Sequence, residues 1–142
     1  MEGGTIDGKE AAPYAPAGFD EALSICKLER FVGDLAISRG WSFEPAAVER
    51  RERVAIVGGG PSGLSAAFQL RRMGYRVTLV EARSELGGLM RHGIPSYRLA
   101  RDVLDAEIAR IVAMGVDVRH GEKPATLDAW EALRATHDAV YV

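Results

Sequence analysis

Val54-Ala55-Ile56-Val57-Gly58-Gly59-Gly60-Pro61-Ser62-Gly63 carries two signals within ten residues. The first four residues form a continuous apolar run bounded by glycines, the pattern of a strand buried on both faces of a parallel sheet. The next six fit G-x-G-x-x-G. A helix is predicted to follow through Met73: Pro61 suits a first helical turn, Leu64, Ala67, Phe68 and Leu70 supply an apolar side, and Gly74 is a natural stop. Arg76-Val77-Thr78-Leu79-Val80-Glu81 then reads as a second, β-branched-rich strand. Strand, helix and strand together occupy about 30 residues, the size of a βαβ unit.

The strand-to-helix context makes the glycine motif informative, because each glycine then has a physical task. Gly58 permits the tight turn, Gly60 lets backbone approach a pyrophosphate, and Gly63 lets the helix pack closely on the strand. Free N–H groups and the helix dipole at the helix start favour a negatively charged ligand. Glu81 ends the second strand about 20 residues past the glycines, where its carboxylate can accept both ribose hydroxyls of an adenosine. A 2′-phosphate there would meet like charge, which disfavours NADP at this position. NAD and FAD present the same adenosine and pyrophosphate to such a loop, so the fingerprint alone leaves both open.

Outward from this unit, Glu85 to Tyr97 reads as a glycine-rich loop and Ala100 to Met114 as a helix that Gly115 ends. Val116-Asp117-Val118 reads as a third strand, Leu127 to Ala135 as a helix and Ala139-Val140-Tyr141-Val142 as a fourth strand. The expected fold is α/β, a Rossmann-like parallel sheet of order 3-2-1-4 with its nucleotide at the carboxyl ends of the strands. Towards the N-terminus, residues up to about Gly18 read as an extended arm. Phe19 to about Arg39 reads as an amphipathic helix through Leu23, Cys26, Leu28 or Phe31, Val32 and Leu35, capped by Asp20 or Ser24. Cys26 is expected in its core, Arg71 and Arg72 on the wet face of the first Rossmann helix, and Glu49-Arg50-Arg51-Glu52-Arg53 as a solvated linker. Residues 1–45 form a helical appendage in this reading, and residues 53–142 a nucleotide-binding domain truncated at its C-terminus.

Composition narrows the function classes. The 142 residues are 47% hydrophobic and 27% charged, the balance of a globular protein, and the net charge of −2 argues against a nucleic-acid partner. No stretch approaches the roughly 20 apolar residues of a membrane span. One cysteine, Cys26, excludes an internal disulfide, a dithiol redox pair and a four-cysteine metal site, and fits a reducing cytoplasm. His92, His120 and His137 lack companions at metal-ligand spacing, and no catalytic base or nucleophile is evident.

The loop after Glu81 separates the two nucleotides. Glu81-Ala82-Arg83-Ser84-Glu85-Leu86-Gly87-Gly88-Leu89-Met90-Arg91-His92-Gly93-Ile94-Pro95-Ser96-Tyr97-Arg98-Leu99 resembles the FAD-binding segment of the glutamate synthase small subunit and of dihydropyrimidine dehydrogenase. Ala22 to Phe31 is similar to the helix between the iron–sulfur cysteines and the flavin domain of that family. The resemblance implies the FAD-binding half of a flavoprotein with two dinucleotide-binding domains. It also implies contacts from Gly58, Gly59, Gly60, Pro61 and Ser62 to the pyrophosphate, from Glu81 to the ribose, and from Gly88, Leu89 and Arg98 to other parts of FAD. In the full-length family a nicotinamide-binding domain passes electrons from NADPH through FAD to 4Fe-4S clusters and an iron–sulfur or large-subunit acceptor. The chain lacks the cluster cysteines, and Pro124 stands where the family meets the adenine through backbone groups, one of which it cannot supply. The rival readings are a free-standing NAD-binding dehydrogenase domain and a non-catalytic interaction module with a vestigial Rossmann core.

Overall fold

Four parallel strands line up in the order β3-β2-β1-β4 in the computed structural model, which describes residues 24–44 and 46–142. The strands are β1 (Arg53–Val57), β2 (Arg76–Glu81), β3 (Val116–His120) and β4 (Ala139–Tyr141). Register pairs Val54 with Val77 and Ala139, and Val77 with Val116, so the apolar runs lie side by side. The arrangement is the expected α/β Rossmann-like sheet.

Helices α2 (Pro61–Arg72), α4 (Arg101–Val112) and α5 (Leu127–Thr136) make the crossovers, and α3 (Leu89–His92) is a short turn between β2 and α4. Ile56 and Leu79 are fully buried at the centre of the sheet. Leu64 and Ala67 of α2, Leu86, and Leu104 and Ile108 of α4 close one apolar cluster with them. Burying these side chains is the main stabilising term, at about 25 cal/mol per Å² of apolar surface.

The chain divides into two units, Met1–Arg39 and Gly40–Val142. In the first, α1 (Ile25–Ser38) occupies the expected helical stretch; Ser24 holds the N-cap position without a side-chain capping bond, while Asp20 and Leu23 lie outside the described residues. Cys26 is exposed rather than a core residue, as are Leu28, Phe31 and Val32. Helical periodicity aligns such residues but supplies nothing to cover them.

Three other expectations change in the second unit. The charged run is tied down rather than a free linker: Arg50 N–H donates to Gly74 O at 2.8 Å, Arg50 Nε to Met73 O at 2.9 Å, and Arg53 opens β1. Arg71 is not on the wet face, because its guanidinium donates to Met114 O and Tyr75 O at 2.8 and 2.7 Å and pairs with Glu49. Finally, the loop after β2 contains the helical turn α3. Phe43 packs edge-on against Phe68 at 4.7 Å between ring centroids, and the Arg110 guanidinium lies over the Phe43 ring at 4.3 Å from its centroid. Among the described residues, no helix is long and apolar enough to cross a membrane.

Leu79→Ala should lower the unfolding free energy by about 2–5 kcal/mol, because the surrounding sheet and helices cannot collapse into the space. Urea denaturation followed by circular dichroism measures it, and a loss below about 1 kcal/mol would place Leu79 outside the core.

Candidate functional site

At the carboxyl end of β1 the chain must turn sharply to enter α2. Gly58 does so with φ at +107°, a conformation that side chains with a Cβ rarely adopt. Gly63, one turn into the helix, lies so close to the strand end that a Cβ built on it would overlap the Gly58 carbonyl oxygen. The helix start therefore stands directly above the strand. Gly60 is the N-cap, no side chain caps the helix, and Pro61 has no N–H to offer.

Backbone donors in the turn divide into two groups. Gly58 N–H donates to Val80 O at 2.8 Å and Gly59 N–H to Glu81 Oε2 at 2.7 Å, so both serve the fold. The N–H groups of Gly60, Ser62 and Gly63 find no acceptor among the described residues and cluster at the positive end of the α2 dipole. An anion seated there would meet three donors.

Glu81 is 8% exposed and sits at the mouth of the turn. Its second oxygen, Oε1, accepts from Arg83 N–H at 2.9 Å. A carboxylate offers about four acceptor sites, so two remain for further donors such as a pair of ribose hydroxyls.

The loop after β2 folds back over the turn. Gly87 N–H donates to Gly59 O at 2.8 Å, and a Cβ on Gly88, whose φ is +49°, would come within 2.7 Å of Gly60 Cα. Only a bare backbone fits there, which gives Gly88 a steric reason. A cavity of about 300 Å³ opens beyond the end of β2, lined by Val80, Glu122, Lys123, Pro124, Ala129 and Leu133. Glu122 N–H is already bonded to Glu81 O at 3.1 Å.

Residues 56–111 match the family described as NAD(P)-binding Rossmann-like domain. The NAD-dependent dihydropyrimidine dehydrogenase subunit PreT of Escherichia coli (strain K12) is 40% identical over 126 residues, 89% of this chain and 31% of that protein. The glutamate synthase [NADPH] small chain of Mycobacterium tuberculosis (strain CDC 1551 / Oshkosh) is 36% identical over a gapped alignment of 134 positions that covers 91% of this chain and 28% of that protein. This chain is homologous to both. The NADP(+)-dependent formate dehydrogenase subunit beta of Moorella thermoacetica is a further relative, 39% identical over a gapped alignment of 145 positions that covers 87% of this chain and 20% of that subunit. The chain thus spans between a fifth and a third of the length of these curated relatives.

The loop that carried the resemblance to glutamate synthase and dihydropyrimidine dehydrogenase subunits is held by two arginines that sequence reasoning missed. Arg91 Nε donates to Leu86 O at 2.6 Å, and its guanidinium pairs with Glu85 and Asp105. Arg101 donates to Met90 O at 3.0 Å and Ile94 O at 2.8 Å. Carbonyls of an irregular segment need such partners, and no local spacing in the sequence announces them. Leu89 and Arg98, by contrast, are exposed on this loop, with Arg98 N–H bonded to Pro95 O at 2.9 Å. His92 is also exposed, His120 Nδ1 lies 3.3 Å from Arg83 O, and His137 is buried with Nδ1 3.0 Å from Leu133 O. Among the described residues, no three His, Cys, Asp or Glu side chains gather at a point.

Glu81→Gln should destabilise the nucleotide-free chain by about 1–3 kcal/mol, since an amide cannot accept from Gly59 and Arg83 with both of its heavy atoms. Equilibrium unfolding in urea checks it. Unchanged stability would mean that the carboxylate does not hold the turn.

Proposed function

We propose that the chain is the FAD-binding part of an NAD(P)H-dependent oxidoreductase. Residues 53–142 form the nucleotide-binding domain in this reading, and residues 1–45 an accompanying helical arm. The observation that carries it is the stacking of the Gly87-Gly88 loop on the Gly59-Gly60 turn. That contact adds a second wall beyond the diphosphate seat, in the segment that resembles a flavin site.

Each element has a binding task. Gly60, Ser62 and Gly63 donate to the diphosphate, with Gly58, Gly59 and Pro61 shaping the turn around it. Glu81 takes the ribose hydroxyls on its two remaining acceptor sites. Val80, Pro124 and Leu133 offer apolar walls to the adenine in the 300 Å³ cavity, and Glu122 and Lys123 polar groups at its edge. Leu89 forms an apolar wall next to Gly88, and the exposed Arg98 can fork onto a phosphate. When bound, FAD supplies the hydride acceptance and electron release that no side chain here offers, and the protein binds, orients and shields it.

The rest of the reaction lies in other parts of the full-length protein. NADPH would come to a nicotinamide-binding domain, and electrons would leave through 4Fe-4S clusters to an iron–sulfur or large-subunit partner. One cysteine cannot ligate such a cluster, so the ligands belong to other polypeptide segments. The chain alone should bind without turnover, in the reducing cytoplasm that its single cysteine suits.

The description of the matching family favours a second reading, NAD in the same seat. Thermal unfolding with FAD or NAD at equal concentration separates the two. A ligand at 100 times its Kd stabilises by about 2.7 kcal/mol, so the tighter ligand gives the larger rise in Tm. FAD should give it. A larger rise with NAD overturns the flavin reading, and no rise with either, together with stable capture of a protein partner, points to an interaction module.

A further inference from the structure

The edge strand β4 reaches the diphosphate seat through one side chain. Register sets Tyr141 beside Ile56, two residues before Gly58. Its phenolic oxygen lies 2.7 Å from Ser62 Oγ on the first turn of α2. The two residues are 79 apart in sequence, and among the described residues Ser62 Oγ has no other hydrogen-bond partner. Both side chains are exposed, at the same end of the sheet as the uncommitted amides of Gly60, Ser62 and Gly63.

The donor supply explains why this bond matters. A helix start normally offers the N–H of its first residue, but here that residue is Pro61. The amides of Gly58 and Gly59 are spent on Val80 O and Glu81. The Ser62 hydroxyl is a side-chain donor on the same first turn of α2, and its usefulness depends on where its proton points. A hydroxyl carries one proton and two lone pairs, so a partner that donates to the oxygen leaves that proton for a ligand.

Resting on the FAD reading, we propose that Tyr141 is a positioning residue for diphosphate recognition. Its O–H donates to Ser62 Oγ and so directs the Ser62 proton at a phosphate oxygen. A phenol is a stronger hydrogen-bond donor than an aliphatic alcohol, which sets the direction of the bond. The phosphate anion reinforces it, because it can only accept a hydrogen bond and so holds the Ser62 proton on its side. Tyr141 thereby couples the edge strand to the ligand without touching it.

The test is calorimetric titration of the chain, as wild type, Tyr141→Phe, Ser62→Ala and the double variant, with FAD and ADP, and with adenosine by competition. Tyr141→Phe removes one oxygen and keeps the ring. It should weaken FAD and ADP about three- to tenfold, the effect of one hydrogen bond, and leave adenosine unchanged. Ser62→Ala should do at least as much, and adding Tyr141→Phe to it should have no further effect, since the pair acts as a unit. Unaltered FAD and ADP binding in Tyr141→Phe, additive losses, or an equal loss for adenosine would overturn the proposal while leaving the FAD reading standing. Wild-type chain that binds neither FAD nor ADP would overturn both.

Discussion

One buried side-chain contact, Gly59 N–H to Glu81 Oε2 at 2.7 Å, ties together the two strand ends on which the site is built. One partner belongs to the turn after β1, the other to the last residue of β2. A carboxylate taken out of water needs hydrogen bonds to offset its desolvation, and Glu81 receives two, from Gly59 and Arg83. The charge that would recognise a ribose is therefore also the tie that gives the glycine turn its shape. Gly59 in turn passes the constraint on, because its carbonyl accepts from Gly87 and brings Gly88 over Gly60.

Polarity of the sheet decides which end can bind. All four strands run the same way, so the turn into α2 and the end of β2 meet at one rim, where the α2 dipole presents its positive end. At the opposite rim the backbone is consumed by structural bonds: Arg50 and Arg71 satisfy the carbonyls of Met73, Tyr75 and Met114. Arginine does similar work in the loop after β2, where Arg91 and Arg101 take the carbonyls of Leu86, Met90 and Ile94. A segment with one short helical turn is held in this way without a ladder of its own.

Much of this was legible in local pattern. Val54 to Val57 and Val77 to Val80 are apolar runs whose burial follows from their composition, and the glycine motif between strand and helix announces the tight turn at Gly58. Residues whose partners are distant in sequence were not legible. Arg71 looked like an exposed helix residue because its carbonyl partner at Met114 lies 43 positions away. The charged run from Glu49 looked like linker because the turn at Gly74 to which it is bonded appears only once β2 has folded beside β1. Cys26 fell on an apolar stripe, yet it is exposed. Helix α3, at four residues, is too short for any periodicity to register.

By itself the sequence determined the order and type of the main elements, the tight turn at Gly58, and the presence of an acid at the next strand end. Each of these is a property of neighbouring residues: side-chain shape, alternation and backbone freedom. Tertiary structure alone decided which amides remain free, that Glu81 spends half its acceptors on the fold, and that Tyr141 meets Ser62. Those outcomes depend on strand register and crossover packing, which bring together groups that no local pattern connects.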